Sequence, residues 1–404
     1  MLSVVPLILN LVLIYFDLRV KSLFISFSLP ILIVFSLPHF IYSISNNTYL
    51  DSTYLYVTVH ACIFLSVYFI IRISLRHLAN VKVSCSPLDD EEKYSTQQFN
   101  ISLIFILVFI FISLSSFNFS LHNILISTWS ESRNSSSGLD LLGSLFLYAG
   151  SSFALLVFKR RSLVGLSILF FLALYIVLAL KTRNFLVALM VPVIIHFIIY
   201  TKWNVKKFII GFLIISTVFL LYSGARNVRH IGSIDNIELS SGQLKIDTGE
   251  FELVNTLYYF VEKDGVNLDY DNVTLIRILS LPIPQTILPF ERSKELSHIL
   301  WDQKIGVKGV SGSLHATVIG DSILNSYYFG SILYGFLYAV IFFILEQSLR
   351  NTKFKVLNFG LFCTVSFYLA RGAVYNGFII LIVGITILLS TSILIKITKR
   401  KQLE

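Results

Sequence analysis

From Ser162 to Leu180 the chain runs SLVGLSILFFLALYIVLAL without one charged side chain. A helix needs roughly 20 such residues to cross a hydrocarbon core ~30 Å thick. Stretches of the same character recur, and the spans read at 2–16, 22–44, 54–71, 99–117, 139–158, 162–180, 184–200, 208–223, 319–345, 356–370 and 376–395. Charged residues make up only 14% of the chain and hydrophobic ones 55%, whereas about a quarter of a typical soluble domain is charged. In lipid the backbone must satisfy its own hydrogen bonds, and the alternating pattern of a barrel is absent. The sequence therefore predicts an all-α polytopic membrane protein with about 11 transmembrane helices. Leu2 to Phe16 has neither a basic start nor a small-residue cleavage site, so it reads as a first span, not a signal peptide.

Charge placement gives the topology. The net charge is +9, with 32 Lys and Arg. Most of the basic residues fall in alternate connections: Arg19/Lys21, Arg72/Arg76/Lys82/Lys93, Lys159/Arg160/Arg161, Lys202/Lys206/Lys207, Arg350/Lys353/Lys355 and the tail from Lys396 to Lys401. Positive charge collects on the cytoplasmic side, which places the N-terminus outside and the C-terminus in the cytoplasm. The basic clusters are accounted for as topology signals facing lipid headgroups, and nucleic acid is not expected as a partner. Three scattered cysteines, Cys62, Cys85 and Cys363, suggest neither a disulfide framework nor a metal site. No phosphate-binding glycine loop and no HExxH motif occurs, so neither a nucleotide nor a metal cofactor is expected.

Two connections are long. Residues 72–98 carry the acidic run DDEEK and read as a solvated linker. Residues 224–318 form a segment on the outer face, too long to be a bare connection. Within it FELVNTLYYFVEK has helical spacing, and so does VTLIRILS before the breaks at Pro282 and Pro284. The expected organisation is helices 1–8 over residues 1–223, a mainly helical cap over 224–318 lying partly in the interface, and helices 9–11 with a basic tail over 319–404.

Cations on the outer face run against the topology bias and need a reason. Lys181 and Arg183 occupy a tight link, Arg226 and Arg229 the outer end of a span, Arg277 an apolar stretch, and Arg371 a second tight link. Ionisable groups at membrane depth usually face a polar cavity or a partner. Guanidinium groups match phosphate oxygens two-pronged and stay charged. The alternative for each is an interfacial side chain that reaches back to water or pairs with a nearby acid.

The stretch GVSGSLHATVIGDSILNSYYFGSILYG, 309–335, enters a span through polar residues. On a continuous helix Thr317, Asp321 and Asn325 recur every four residues and Tyr328 continues the stripe. His315 falls off that stripe, in the loop before the helix. An imidazole can serve as general base near neutral pH, and a carboxylate can orient it or hold a sugar hydroxyl. Helix capping and packing are the alternative for Asp321 and Asn325. Gly330 and Gly335 permit close helix packing.

Taken together, LKTRN, SGARNVR opening the long outer loop, the late stretch SGSLHATVIGDSILNSYYFGSILYG and the closing ARG link resemble the bacterial O-antigen polymerase (Wzy) family of oligosaccharide repeat unit polymerases. The likeness extends to the whole layout of spans and long late loop. It departs from the pattern at Lys-Thr before Arg183, where Gly or Ser is expected, and at Asp321, where Glu is common. The resemblance implies a multi-pass protein of the bacterial inner membrane, and a GT-C-like architecture is compatible with it. The implied substrate is undecaprenyl-pyrophosphate-linked oligosaccharide, polymerised by block transfer at the periplasmic face for lipopolysaccharide or another surface polysaccharide. It implies pyrophosphate binding by Arg183, Arg226, Arg277 and Arg371 with Lys181 and Arg229, catalysis by His315 and Asp321, sugar contacts from Asn325, Thr317 and Tyr328, no metal or cofactor, and a chain-length regulator and flippase as pathway partners. An O-antigen ligase or other lipid-linked-sugar glycosyltransferase is the nearest alternative, and a flippase the next.

Overall fold

The computed structural model describes residues 2–45, 48–78, 88, 92–120, 123–124, 138–180, 182–201, 251–281, 283–306, 312–350 and 354–401. Every regular element among them is helical: α1 (Val4–Arg19), α2 (Ile25–Ile31), α3 (Leu37–Ser45), α4 (Asp51–Leu78), α5 (Glu92–Ser116), α6 (Gly138–Ala149), α7 (Phe153–Arg160), α8 (Leu163–Tyr175), α9 (Arg183–Tyr200), α10 (Phe251–Glu262), α11 (Val273–Ser280), α12 (Leu296–Lys304), α13 (Thr317–Arg350), α14 (Lys355–Ala370) and α15 (Val374–Lys401). Among the described residues seven helices are long and apolar enough to cross a membrane: Ile25–Ser45, Asp51–His77, Tyr94–Ser116, Leu141–Arg160, Leu163–Leu180, Phe329–Ser348 and Val374–Ile395. Asn184–Tyr200 and Lys355–Ala370 are shorter apolar helices, and α1 has 16 residues. The span expected at 208–223 lies outside the described residues. The protein is thus an all-helical, multi-pass membrane protein.

By internal packing the chain divides into two compact units: Met1–Ser84, Leu244–Ser348 and Val365–Ile379 form the first, and Cys85–Gln243, Leu349–Thr364 and Ile380–Glu404 the second. In the second unit α5 lies against α6, where small residues let the helices close in. A Cβ on Gly143 would meet Ile112 at 3.1 Å, and one on Gly150 would meet Phe105 at 3.1 Å. Gln98, buried, accepts from the backbone N–H of Val356 (2.8 Å) and of Leu357 (3.3 Å). It thereby satisfies orphan donors at the start of α14.

The first unit begins with α1 against α2, α3 and α4. Pro30 interrupts the backbone ladder, and Leu32–Ser36 forms a π turn between α2 and α3. Asn10 of α1 lies against this turn. Its amide accepts from Leu32 N at 2.9 Å and donates to Ser28 O at 3.1 Å. Arg72 is not in a cytoplasmic loop, as the charge pattern suggested. Helix α4 runs on to Leu78, and the Arg72 guanidinium is 1% exposed, ion-paired with the buried Asp17 of α1. The Phe24 ring covers it at 4.0 Å. Glu346 of α13, also buried, accepts from Ser22 Oγ at 3.2 Å and Leu23 N at 3.3 Å. An unpaired charge in this medium would be expensive; Arg72 and Asp17 tie α4 to α1, and Glu346 ties α13 to the Ser22–Leu23 turn.

Helix α10 docks by its apolar face with Val254, Leu257 and Tyr258 inward. The Tyr258 hydroxyl meets His39 Nδ1 at 2.6 Å, and His39 Nε2 meets Thr58 Oγ1 at 2.9 Å. Helices α10 and α11 stand where the apolar spacing placed them, and α11 ends before the proline pair.

Candidate functional site

Helix α13 is not a straight span entered through a polar face. Residues eight apart in a straight helix are separated by about 12 Å along the axis, yet a Cβ on Gly330 would run into the backbone carbonyl of Ser322. The helix therefore bends sharply between these residues. A polar arm, 317–326, precedes the bend, and the apolar window Phe329–Ser348 follows it. Asp321 and Asn325 stand on the polar arm, on the far side of the bend from Phe329–Ser348. Gly335 packs on α4, where a Cβ would stand 2.8 Å from Phe64 O.

The polar arm is held by α11. Asn272 N donates to Asn325 O at 2.8 Å, and Thr274 N donates to Asn325 Oδ1 at 3.0 Å. Asn272, the N-cap of α11, supplies no side-chain cap, so Asn325 provides that acceptor from another helix. The Asn325 amide also donates to Thr274 Oγ1 at 3.0 Å and to Asp321 O at 2.8 Å. Both ends of Asn325 are engaged within the protein. Thr317 Oγ1 accepts from Gly320 N at 3.2 Å and caps its own helix. Asn325 and Thr317, singled out for sugar contacts, thus both make hydrogen bonds within the protein.

Asp321 remains. It is 3% exposed, and its Oδ1 accepts from Thr274 Oγ1 at 3.2 Å. Its Oδ2 is buried with no hydrogen-bond partner among the described residues. Burial pushes the carboxyl up to about 8. The bend brings Tyr334 beside Thr274 and within electrostatic range of Asp321.

A second set of contacts involves α12 and the turn between α14 and α15. Gly372, at φ +89°, lies on the Thr317 backbone, where a Cβ would meet three main-chain atoms at 2.8 Å. Thr317 is itself left-handed, at φ +66°. The ARG link is therefore packed directly on the start of α13. The Arg277 guanidinium stacks 4.5 Å over the Tyr375 ring and donates to Ser293 O, while its buried Nε has no partner among the described residues. Next to Tyr375, Asn376 donates to Glu295 Oε1 at 3.3 Å. Glu295 is 4.0 Å from His298 Nε2, and His298 Nδ1 meets Gly312 O at 2.6 Å. Leu314 N donates to Ser297 O at 2.9 Å, pinning the irregular segment that carries the half-buried His315 to α12.

Of the residues singled out in the sequence, Arg277, His315, Thr317, Asp321, Asn325 and Arg371 fall in elements laced together in the first unit. Arg183 starts α9 of the second unit, and its side chain and that of Tyr328 lie outside the described residues, as do Lys181, Arg226 and Arg229 entirely. Sequence reasoning missed Thr274, Glu295, Tyr375 and Asn376. Thr274, three residues before Arg277, and Tyr375 and Asn376, four and five after Arg371, lay within a helical turn or so of residues already singled out. Among the described residues no three His, Cys, Asp or Glu side chains gather into a metal-binding group. Compared with protein-family models, curated proteins and solved structures, the chain has no match.

Proposed function

We propose that the protein is a glycosyltransferase of the membrane surface that joins lipid-pyrophosphate-linked oligosaccharide repeats into a polysaccharide. The observation that carries the reading is Asp321. It is a buried carboxyl group with one oxygen held by Thr274 and the other unpartnered among the described residues, and it sits in the element network that includes Arg277 and the Arg371–Gly372 link. The sequence resemblance to repeat unit polymerases supplies the substrate class. In the proposed step a hydroxyl oxygen of the acceptor sugar forms a bond to the anomeric carbon of the donor. The bond from that carbon to the pyrophosphate oxygen breaks, and undecaprenyl pyrophosphate leaves with the electron pair. His315 takes the hydroxyl proton, and Asp321 orients the imidazole or the sugar. Arg277 and Arg371 compensate the charge gathering on the pyrophosphate, the term that most lowers such a barrier. The donor arrives activated, so no nucleotide is needed, and the proposed location is the periplasmic face of a bacterial inner membrane.

The test uses purified full-length protein in proteoliposomes with the lipid-linked repeat as the sole substrate. A ladder of products is expected, lost in Arg277→Ala and Asp321→Asn. Transfer only after lipid A core is supplied would instead identify a ligase. Unconsumed repeat with and without that acceptor, at verified folding, would overturn the reading.

A further inference from the structure

Residues 278–290, ILSLPIPQTILPF, contain no charge. They lie in the first unit, from the last turn of α11 into the connection to α12. Apolar residues here are turned outward: Leu279 is 76% exposed, Ile287 70%, Ile283 41% and Phe290 39%. A segment of this kind in water would be costly, since large apolar side chains are normally withdrawn.

The backbone of the segment is organised against itself. Ile283 N donates to Ser280 O at 3.0 Å, Ile287 N to Pro284 O at 3.0 Å, and Leu288 N to Gln285 O at 3.3 Å. Gln285 Nε2 donates to Phe290 O at 3.0 Å. Arg292 closes the loop from behind, donating to Ser280 O at 2.8 Å and to Ile283 O at 2.7 Å. A loop that stays in water has no need to satisfy its carbonyls internally. One that enters lipid must, because hydrocarbon offers no partner. Arg277 precedes the apolar run and Glu291 and Arg292 follow it, so charge lies only at its two ends, as in a segment whose apolar part enters lipid while its charged ends stay at the interface.

The occupant of this face follows from what it joins. Helix α11 is fastened at its start to Asn325, four residues before Phe329, where the apolar window of α13 opens. Phe329 is 75% exposed and Ile332 46%. The outward side chains of the loop belong to a unit that a bilayer already surrounds. We infer that the 279–290 loop is inserted into the bilayer, with its apolar side chains among the acyl chains of the leaflet at that end, and that it holds Arg277 at headgroup depth. The inference rests on the spanning helices and is independent of the reaction proposed above.

Spin labels decide it. Leu279→Cys, Ile287→Cys and the exposed control Gln303→Cys are made in full-length protein whose Cys62, Cys85 and Cys363 have been replaced, reconstituted in phospholipid vesicles. At 279 and 287 collisions with oxygen should exceed those with a water-soluble nickel chelate, and at 303 the order should reverse. Water-like behaviour at 279 and 287, matching 303, overturns the insertion. A second measurement needs no substitution: wild-type protein in vesicles containing a lipid with a photoactivatable group in its tail should be labelled within 279–290. Labelling of Phe329–Ser348 without any in 279–290 also overturns it.

Discussion

Asp321 places a residue's function and its stability in opposition. Its carboxyl titrates near 8, against about 3.9 in an unfolded chain. The folded state therefore binds more protons than the unfolded state between these values, and stability falls as pH rises through that window. Asp321→Asn removes the titration and keeps the shape. It should raise the melting temperature at pH 8, with the gain shrinking as pH falls toward 4, while product formation is lost; thermal melts over that pH range in one detergent check the sign. Gly372 acts through its backbone instead. At φ +89° and against the Thr317 main chain, an alanine meets both the left-handed penalty of ~1–2 kcal/mol and a collision. Gly372→Ala should lower the melting temperature and reduce transfer together, whereas alanine at Gly306, left-handed too but looking out on a single carbonyl at 3.3 Å, should affect stability alone.

Helix α10 shows how an amphipathic element is fixed once its apolar face is down. Tyr258 delivers a hydroxyl to His39 at the bottom of the contact, and removing one partner of such a buried pair costs about 1–3 kcal/mol. Tyr258→Phe should leave the fold intact but accelerate limited proteolysis in the turn after Glu262, measured against wild type at equal detergent concentration. Much of this level could be read in advance. The 3.6 period of FELVNTLYYFVEK marked α10, and the proline pair marked the end of α11. The bend in α13 could not be read, because it depends on contacts between Gly330 and Ser322 and between Asn325 and Asn272, and the period of Thr317, Asp321 and Asn325 looks the same in a straight helix. For the same reason the face was visible but its use was not: Thr274, which claims Asn325, lies 51 residues away in sequence.

At the scale of the molecule, apolar runs made the membrane helices legible and charge bias misled at one point. Arg72 counts as a cytoplasmic cation in any tally of loops, yet it is sealed beside Asp17. Nothing local distinguishes it from Arg76, one turn further on. Arg72→Ala should cost about 3–5 kcal/mol by stranding Asp17, and Asp17→Asn with Arg72→Met together should cost less than the single change; melts in detergent of the two variants decide. The same pair bears on how the protein is made. Translation delivers α1 with Asn10 and Asp17 already in it, Asp17 close to the end of the helix, and an ionised group carried into lipid is costly until it finds a partner. Its counter-ion emerges 55 residues later in α4, and Glu346 only near the end of synthesis. A chain cut before α4 should therefore hold α1 in the membrane less firmly than one that includes α4, because only the second can pair Asp17.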